Sequence, residues 1–168
     1  MKKNIVLIGM PGCGKSAVGR ELAAMLHMVL VDTDQMIEQE AGRTIPELFA
    51  QEGEAAFRER ESRAALRAAS MEGVIIATGG GMVLREENMQ ALSRTGVVFF
   101  RDRALRDIAG EDLSDRPLLS DGAARLQQLY DQRIGLYRRY ARYTIANTDT
   151  AAAAAAQIAA SYKRECSQ

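Results

Sequence analysis

Short apolar runs alternate along the chain with longer segments whose hydrophobic residues recur at helical spacing. Each apolar run is continuously hydrophobic, which predicts a strand buried on both faces of a parallel sheet. Between the first two runs, Val18, Leu22 and Leu26 form a stripe typical of an amphipathic helix. This alternation predicts a three-layer α/β/α fold around a five-stranded parallel sheet. The predicted strands cover residues 4–8, 28–31, 74–77, 97–100 and 143–146.

The remaining segments predict the helices and one loop. Helical patterns cover residues 16–26, 35–41, 45–51, 54–71, 86–93 and 124–139. A last helix begins with the alanine run at 151–156, where Asp149 or Thr150 is the expected N-cap. Residues 109–123 are polar and contain glycine and proline, which predicts a mobile loop. Because parallel sheets bind ligands beyond the carboxyl ends of their strands, we expect the chemistry just after the strands.

Composition and charge narrow the classes of function. The 168 residues suit one domain, and the 22 basic and 22 acidic side chains cancel, which argues against a nucleic-acid partner. Cys13 and Cys166 lie at opposite ends of the chain and His27 is the single histidine, so neither a disulfide scaffold nor a zinc site is expected. No apolar run is as long as a membrane span, which needs about 18 residues. We expect a monomeric cytoplasmic protein with no nucleic-acid or membrane partner.

The first predicted strand runs into a phosphate-binding motif. Residues 9–16 read Gly-Met-Pro-Gly-Cys-Gly-Lys-Ser and match the pattern G-x-x-x-x-G-K-[ST]. Glycines let the backbone amides close around phosphates at a helix N-terminus, Lys15 supplies a cation, and the Ser16 hydroxyl is a ligand for Mg²⁺. A chance glycine turn is the alternative, but the preceding strand and following helix favour nucleotide binding. The expected nucleotide-binding residues are Gly12, Cys13, Gly14, Lys15, Ser16 and Ala17.

Two aspartates follow the second predicted strand. Asp32 and Asp34 are two residues apart in a segment predicted to be extended, so both carboxylates should point to the same side. Beside the phosphate loop, one carboxylate could support Mg²⁺ and the other could accept a hydrogen bond or a proton from an attacking hydroxyl. Alternatively, one of them only caps the helix that is predicted from residue 35. The phosphate loop favours the functional interpretation.

Three arginines occupy positions that suit an anion. Arg133 lies on the apolar face of its predicted helix, so its guanidinium must either extend to solvent or meet an anion. Arg58 precedes Glu61 by about one turn, and Glu61 could orient it, although the two could equally form an exposed ion pair. Arg116 lies in the polar loop and could close over phosphates, or that loop could simply be flexible.

A run of three glycines, Gly79 to Gly81, follows the third predicted strand. Such a run allows a very close approach of the backbone to another group, and it could present amide donors to a substrate or to phosphates. A simple strand-to-helix turn is the alternative, although one glycine would normally suffice for it.

Together these motifs resemble the shikimate kinase family. The matching segments follow the order of the family with similar spacing over residues 4–150; they are 9–16, 32–34, 42–49, 53–61, 79–81, 116–119 and 133–137. The phosphate loop is shared with very many proteins. The combination of Phe57-Arg58-x-x-Glu61 with the triple glycine is specific to this family.

The resemblance implies a P-loop NTPase-like fold, close to that of nucleoside monophosphate kinases. It also implies transfer of the γ-phosphoryl group of ATP to the 3-hydroxyl of shikimate, with Mg²⁺ as cofactor, in aromatic amino-acid biosynthesis. Residues 33–60 would form a shikimate-binding subdomain, and 109–123 would form a lid that brings Arg116 onto the nucleotide.

The resemblance further assigns a role to individual residues. The implied catalytic residues are Lys15, Asp34 and Arg116. The implied metal-binding residues are Ser16 and Asp32. The implied substrate-binding residues are Asp34, Arg58, Gly79, Gly80, Gly81 and Arg133, with both arginines on the substrate carboxylate.

Two other functions stay open from the sequence. Another small P-loop kinase, for example of the gluconate type, would also use arginines to bind the carboxylate of its acceptor. A nucleoside monophosphate acceptor would need a pocket that recognises the base, which we do not identify. The second alternative is a non-catalytic nucleotide-binding module of the same fold. Its support is that residues 109–123 are unusually acidic.

Overall fold

The computed structural model describes residues 2–109, 122–146 and 148–167 and contains each strand predicted from the sequence. The strands are β1 (Asn4–Ile8), β2 (Val29–Asp32), β3 (Val74–Ala77), β4 (Gly96–Arg101) and β5 (Tyr143–Ile145). All four pairings between them are parallel, in the order β2-β3-β1-β4-β5. This arrangement confirms the predicted sheet.

Helices cover both faces of the sheet. They are α1 (Lys15–Leu26), α2 (Thr33–Ala41), α3 (Ile45–Ala69), α4 (Glu86–Thr95), α5 (Leu105–Ala109), α6 (Ala123–Tyr140) and α7 (Ala151–Cys166). Helices α1 and α7 pack on one face of the sheet, and α3, α4 and α6 pack on the other. The 3₁₀ turn Met82–Leu84 and the five-residue α5 were not predicted, because both are too short to show a helical periodicity.

The central strand β1 is buried on both of its faces. Val6 and Ile8 contribute to the core below α3, α4 and α6, whereas Ile5 and Leu7 contribute to the core below α1 and α7. Each of the four side chains is at most 1% exposed. A strand with two buried faces has no polar side, which explains why residues 5–8 are continuously apolar.

The segment around Asp32 and Asp34 differs from the prediction. Strand β2 ends at Asp32 and α2 begins at Thr33, two residues earlier than expected, so Asp34 lies in the first turn of a helix. The prediction of an extended segment is therefore wrong, although both carboxylates still line the same cavity. The cause is the Asp32 side chain, whose Oδ1 accepts hydrogen bonds from the backbone N–H groups of Asp34 and Gln35 and caps α2.

Helix α3 replaces the two helices predicted over 45–51 and 54–71. It begins with a capping box, in which Thr44 and Glu47 satisfy each other's backbone N–H groups. Its course is interrupted at Gly53, which has a φ of 81° and a ψ of 174°. The predicted break is thus present, but the two parts follow each other without a loop between them.

A small third core lies apart from the two main ones. Its buried residues are Ile37, Leu48, Phe57 and Ala64. They come from α2 and from both parts of α3, so the third core joins these two helices and lies mostly within residues 33–60.

The remaining predicted elements have mixed outcomes. Thr150 rather than Asp149 caps α7, because its hydroxyl accepts a hydrogen bond from the N–H of Ala153. The loop predicted over 109–123, with Arg116, falls mostly on residues 110–121, which lie outside the described residues. No helix within the described part of the chain is long and apolar enough to span a membrane.

Asn4 provides a test of how the sheet is held to its connections. Its buried side chain donates to the carbonyl of Met71 at 2.8 Å and accepts from the N–H of Val74 at 3.0 Å, so it joins β1 to the turn before β3. We expect Asn4→Ala to lower the free energy of unfolding by about 2–4 kcal/mol, because two backbone groups lose their partners. Urea denaturation followed by circular dichroism measures this, with the exposed Gln90→Ala as control. Equal stability of the two variants would contradict the interpretation.

Candidate active site

A cavity of about 460 Å³ lies where β1, β2 and β3 end. It is lined by the phosphate loop, the start of α2, both parts of α3, the segment after β3, and α6. The predicted site residues that it brings together are Gly12, Gly14, Lys15, Ser16, Ala17, Asp32, Asp34, Arg58, Gly79, Gly80, Gly81 and Arg133. Residues that are distant in sequence therefore meet at the sheet edge where ligands of this fold class bind.

The phosphate loop holds its lysine inside the loop. Lys15 is nearly buried, and its Nζ donates to the carbonyls of Gly9 at 2.8 Å and Met10 at 2.9 Å. A side chain on Gly9 would come within 2.8 Å of the Arg101 carbonyl, so only glycine fits at this crossing of β1 and β4. The loop therefore presents a cation within a closely packed backbone turn, as a triphosphate requires.

Cys13 lies differently from its neighbours in the loop. Its N–H donates to the Met10 carbonyl at 3.2 Å, and its side chain is buried in the core on the α3 side of the sheet. It does not line the cavity, unlike Gly12 and Gly14 on either side of it. The cysteine side chain therefore fills space below the loop, and its role in nucleotide binding stays a prediction.

Asp32 combines two functions that the sequence presented as alternatives. While Oδ1 caps α2, Oδ2 accepts a hydrogen bond from the Ser16 hydroxyl at 2.7 Å. These two oxygen-bearing side chains suit Mg²⁺, which takes few protein ligands and keeps waters and phosphate oxygens. Across residues 2–109, 122–146 and 148–167, no group of three His, Cys, Asp or Glu could hold a metal alone. The site thus fits a Mg²⁺ ion that is shared with a nucleotide.

Asp34 carries a strongly perturbed carboxylate that lines the cavity. Its pKa is raised to about 7, mainly by burial and also by the negative charges of Asp32 and Glu61, while the positive charge of Lys15 opposes the increase. Its buried Oδ1 finds no hydrogen-bond partner among the described residues. A carboxylate with a pKa near neutrality and a free acceptor oxygen can orient a hydroxyl group and accept its proton.

Arg58 and Glu61 form a buried ion pair rather than the exposed pair considered above. Arg58 is 7% exposed and Glu61 is 1% exposed, and the Arg58 guanidinium donates to Glu61 Oε1 at 2.8 Å. Burial raises the pKa of the Glu61 carboxyl, and the charges of Arg58 and Arg133 oppose this. Glu54 accepts a second, longer hydrogen bond from Arg58 at 3.3 Å. Glu61 and Glu54 therefore fix the orientation of the Arg58 guanidinium in the cavity.

Arg133 reaches the same cavity from α6. It is only 3% exposed, and neither Nε nor one of its terminal nitrogens has a hydrogen-bond partner among the described residues. A buried guanidinium without such partners is unfavourable by several kcal/mol, on the order of the cost of burying any unpaired charge. The burial of Arg133 excludes extension into solvent. Its two unused nitrogens leave it able to bind an anion in the cavity, and that role stays a prediction.

Two of the three glycines lie so close to charged side chains that no Cβ would fit. A Cβ on Gly79 would come within 2.8 Å of Asp34 Oδ1 and 3.0 Å of Glu61 Oε2, and a Cβ on Gly81 would overlap the Arg58 guanidinium. The missing side chains therefore leave the space that these three charged groups occupy. A simple turn would not require this, so the close-approach interpretation is confirmed for both positions.

The middle glycine joins the phosphate loop to α6. A Cβ on Gly80 would come within 2.5 Å of the Pro11 ring. The Gly80 carbonyl accepts a hydrogen bond of 2.6 Å from the Tyr137 hydroxyl, and burial raises the pKa of Tyr137, so this donor stays protonated. Tyr137 is itself held by stacking on Phe100 at 5.1 Å between ring centroids. The segment after β3 is thus fixed on both sides.

An apolar wall of the cavity was missed in the sequence. Ile45 and Phe49 lie on the first part of α3 and Phe57 lies on the second part, and all three line the cavity. Their spacing of four residues on each side of Gly53 predicts a buried helix face, but it does not distinguish a cavity wall from a core. Glu61 was considered only as a partner of Arg58, and its burial was not foreseen.

Comparison with known proteins agrees with this geometry. A family model described as shikimate kinase matches residues 11–163. The shikimate kinase of Symbiobacterium thermophilum is 49% identical over 148 residues, which cover 84% of this chain and 85% of the relative. That of Clostridium beijerinckii is 43% identical and covers 88% of this chain and 87% of the relative.

Solved structures give the same result. A shikimate kinase from Acinetobacter baumannii in complex with shikimate superposes with a TM-score of 0.93 at 33% identity, covering 98% of this chain and 95% of that one. A gluconokinase from Sinorhizobium meliloti has a TM-score of 0.60 at 15% identity, and it shows only that the fold is shared. The family match over most of the chain, the relatives and the arrangement of the cavity lead to one conclusion: this chain belongs to the shikimate kinase family.

Proposed function

We propose that this chain transfers the γ-phosphoryl group of ATP to the 3-hydroxyl of shikimate and releases shikimate 3-phosphate and ADP, as a step of aromatic amino-acid biosynthesis. The observation that carries the proposal is the pair of buried guanidinium groups, Arg58 and Arg133, in the cavity next to the phosphate loop. Shikimate has the carboxylate that these arginines can bind and hydroxyl groups that can face Asp34.

The arginines bind the acceptor by its carboxylate. Arg133 offers nitrogens that no other described residue uses, and Arg58 approaches from α3 with its orientation fixed by Glu61. Charge-assisted hydrogen bonds from two guanidinium groups are strong in a cavity with little water. The apolar wall of Phe49 and Phe57 then packs against the carbon ring of the substrate.

Asp34 aligns the hydroxyl that attacks. Its buried Oδ1 lies against Gly79 without a hydrogen-bond partner among the described residues, and Asp34 itself lines the cavity. With a pKa of about 7, Asp34 accepts a hydrogen bond from the hydroxyl when it is ionised and can take the proton as the new P–O bond forms. The reaction then depends mainly on position, because phosphoryl transfer needs little covalent chemistry from the protein.

The nucleotide binds along residues 9–16. Lys15 neutralises charge on the β- and γ-phosphates, and Ser16 and Asp32 would hold Mg²⁺, which would supply further positive charge to the bound nucleotide. Arg116 lies outside the described residues, and its place in this set, on a lid over 109–123 that would exclude water, is what the family resemblance implies.

A screen of phosphoryl acceptors tests the proposed function. The purified protein is mixed with ATP and Mg²⁺, and ADP release is followed with shikimate, gluconate or a nucleoside monophosphate as acceptor. We expect ADP release above the background only with shikimate. Two arginines and Asp34 are placed for a hydroxylated carboxylic acid, and the apolar wall of Phe49 and Phe57 suits a carbon ring, which open-chain gluconate lacks. Faster turnover with gluconate would support the gluconate-type alternative, and ATP binding without any turnover would support the non-catalytic module.

Replacement of Arg133 tests the binding of the carboxylate. We expect Arg133→Ala to raise the KM for shikimate about 30-fold or more, the equivalent of about 2–5 kcal/mol for breaking a buried charge pair. The KM for ATP should stay within about twofold. Arg138→Ala is the matched control, because Arg138 lies on the same helix and is exposed. An unchanged KM for shikimate in Arg133→Ala would remove this residue from the site.

The raised pKa of Asp34 predicts a pH dependence of both activity and stability. We expect kcat/KM to fall about tenfold per pH unit below pH 7, because only the ionised carboxylate accepts the hydroxyl proton. A folded-state pKa above the normal value of 3.8 contributes stability at low pH that is lost as the pH rises through about 7.

Asp34→Asn separates these two effects. The variant should lose most activity, yet at pH 8 it should be about 1–3 kcal/mol more stable than the wild type, with a smaller difference at pH 5. Chemical denaturation at both pH values measures the difference. A wild-type protein that gains stability relative to Asp34→Asn between pH 5 and pH 8 would contradict the assigned environment of Asp34.

A further inference from the structure

Helix α3 bends sharply at Gly53, within the wall of the active-site cavity. A φ of 81° with a ψ of 174° is a backbone conformation in which glycine is nearly the sole residue found. Phe49 and Phe57 lie on the two sides of the bend, with ring centroids 4.7 Å apart. In a straight helix, eight residues would separate their Cα atoms by about 12 Å. The bend therefore creates the aromatic wall that faces the acceptor.

The residue before the bend, Glu52, connects the segments on both sides of it. Arg60, from the second part of α3, donates to both Glu52 carboxylate oxygens, at 3.0 Å and 3.1 Å. Arg43, from the turn between α2 and α3, donates to the same carboxylate at 2.9 Å. These hydrogen bonds, that from Arg60 foremost, hold the pKa of the Glu52 carboxyl below its usual range. One carboxylate thus links three segments of the acceptor side of the cavity.

Arg60 stands two positions after the substrate-binding arginine of α3. Side chains two positions apart on a helix are rotated by about 200° about its axis, which places them on nearly opposite faces. Arg58 therefore faces the cavity while Arg60 faces outward. Holding Arg60 against Glu52 on the outside therefore sets the rotation of the helix that carries Arg58 on the inside. The same rotation places Phe57 against Phe49.

We propose that Glu52 is a positioning residue for the acceptor: its carboxylate holds the bend of α3 in the geometry that directs Arg58 and Phe57 into the cavity. The inference rests on the proposed function in one respect, because it treats Arg58 as a ligand of the acceptor carboxylate. Glu52 does not line the cavity, so its effect on the substrate is transmitted through the position of α3.

Glu52→Gln separates positioning from general stability. We expect the KM for shikimate to rise about three- to tenfold, the range for losing two partly exposed ion pairs, with kcat and the KM for ATP within about twofold. The control is Glu59→Gln, which removes the ion pair of another glutamate of α3 with Arg85 but does not span the bend. The proposal would be overturned if Glu52→Gln raised the KM for ATP as much as the KM for shikimate. It would also be overturned if Glu59→Gln raised the KM for shikimate to the same extent as Glu52→Gln.

The partner of Glu52 is tested by a double-mutant cycle. Arg60→Gln alone should raise the KM for shikimate to a similar extent, and the double variant Glu52→Gln/Arg60→Gln should be little worse than either single variant. Effects that multiply in the double variant would show that Glu52 does not act through Arg60 and would overturn the proposed mechanism.

A measurement without substrate distinguishes this inference from the proposed function. Spin labels on Ala50→Cys and Leu66→Cys, both exposed and on opposite sides of the bend, report the distance between the two parts of α3. Cys166 is replaced by serine, and Cys13 is buried. We expect Glu52→Gln to broaden or shift the distance distribution, and an unchanged distribution would overturn the inference. A wild-type protein that fails to phosphorylate shikimate would instead overturn the proposed function and leave this distance result standing.

Discussion

The burial of unlike charges in one small cavity is the constraint on which the site depends. Arg58 is compensated by Glu61, but Arg133 and the Oδ1 atom of Asp34 have no complete complement among the described residues. Buried charges of this kind destabilise a protein unless a partner satisfies them. The packing of the two main cores offsets this destabilisation in the free protein. A bound ligand with a carboxylate and a hydroxyl group would remove the destabilisation by supplying the missing partners. Under the proposed function, affinity for the acceptor would therefore come from buried polar atoms that the fold leaves without complete partners.

The parallel sheet turns segments that are far apart in sequence into one site. Strands β1, β2 and β3 are neighbours and end at the same edge, so the phosphate loop, Asp32 and the three glycines meet there. Gly80 packs on Pro11 of the phosphate loop and is held by Tyr137 of α6. The phosphate loop and α6 are thus joined through the backbone of Gly80, which varies less in position than a long side chain.

Local patterns predicted the fold well and the site in part. Continuous apolar runs located the strands, and the phosphate motif located Lys15, because both signals depend on neighbouring residues only. The extended backbone predicted for Asp32 to Asp34 was wrong, since a helix cap competes with strand extension at the same residue, although both side chains line the cavity. The burial of Arg58 and Arg133 depends on the packing of α3 and α6, which spacing along the chain does not reveal. Their convergence was anticipated only through the family resemblance.

The position of Arg58 connects the glycine run, the buried acids and the bend of α3. Its guanidinium occupies the space that a side chain on Gly81 would fill and is bound by Glu61 from the same helix. A small displacement of α3 would therefore either press the guanidinium against the backbone of Gly81 or weaken its bond to Glu61. Because phosphoryl transfer depends on placing the attacking hydroxyl in line with the phosphate, an error of about 1 Å would be costly. Under the proposed function, rigid support of α3 therefore contributes directly to the reaction rate, because it fixes the position of the acceptor.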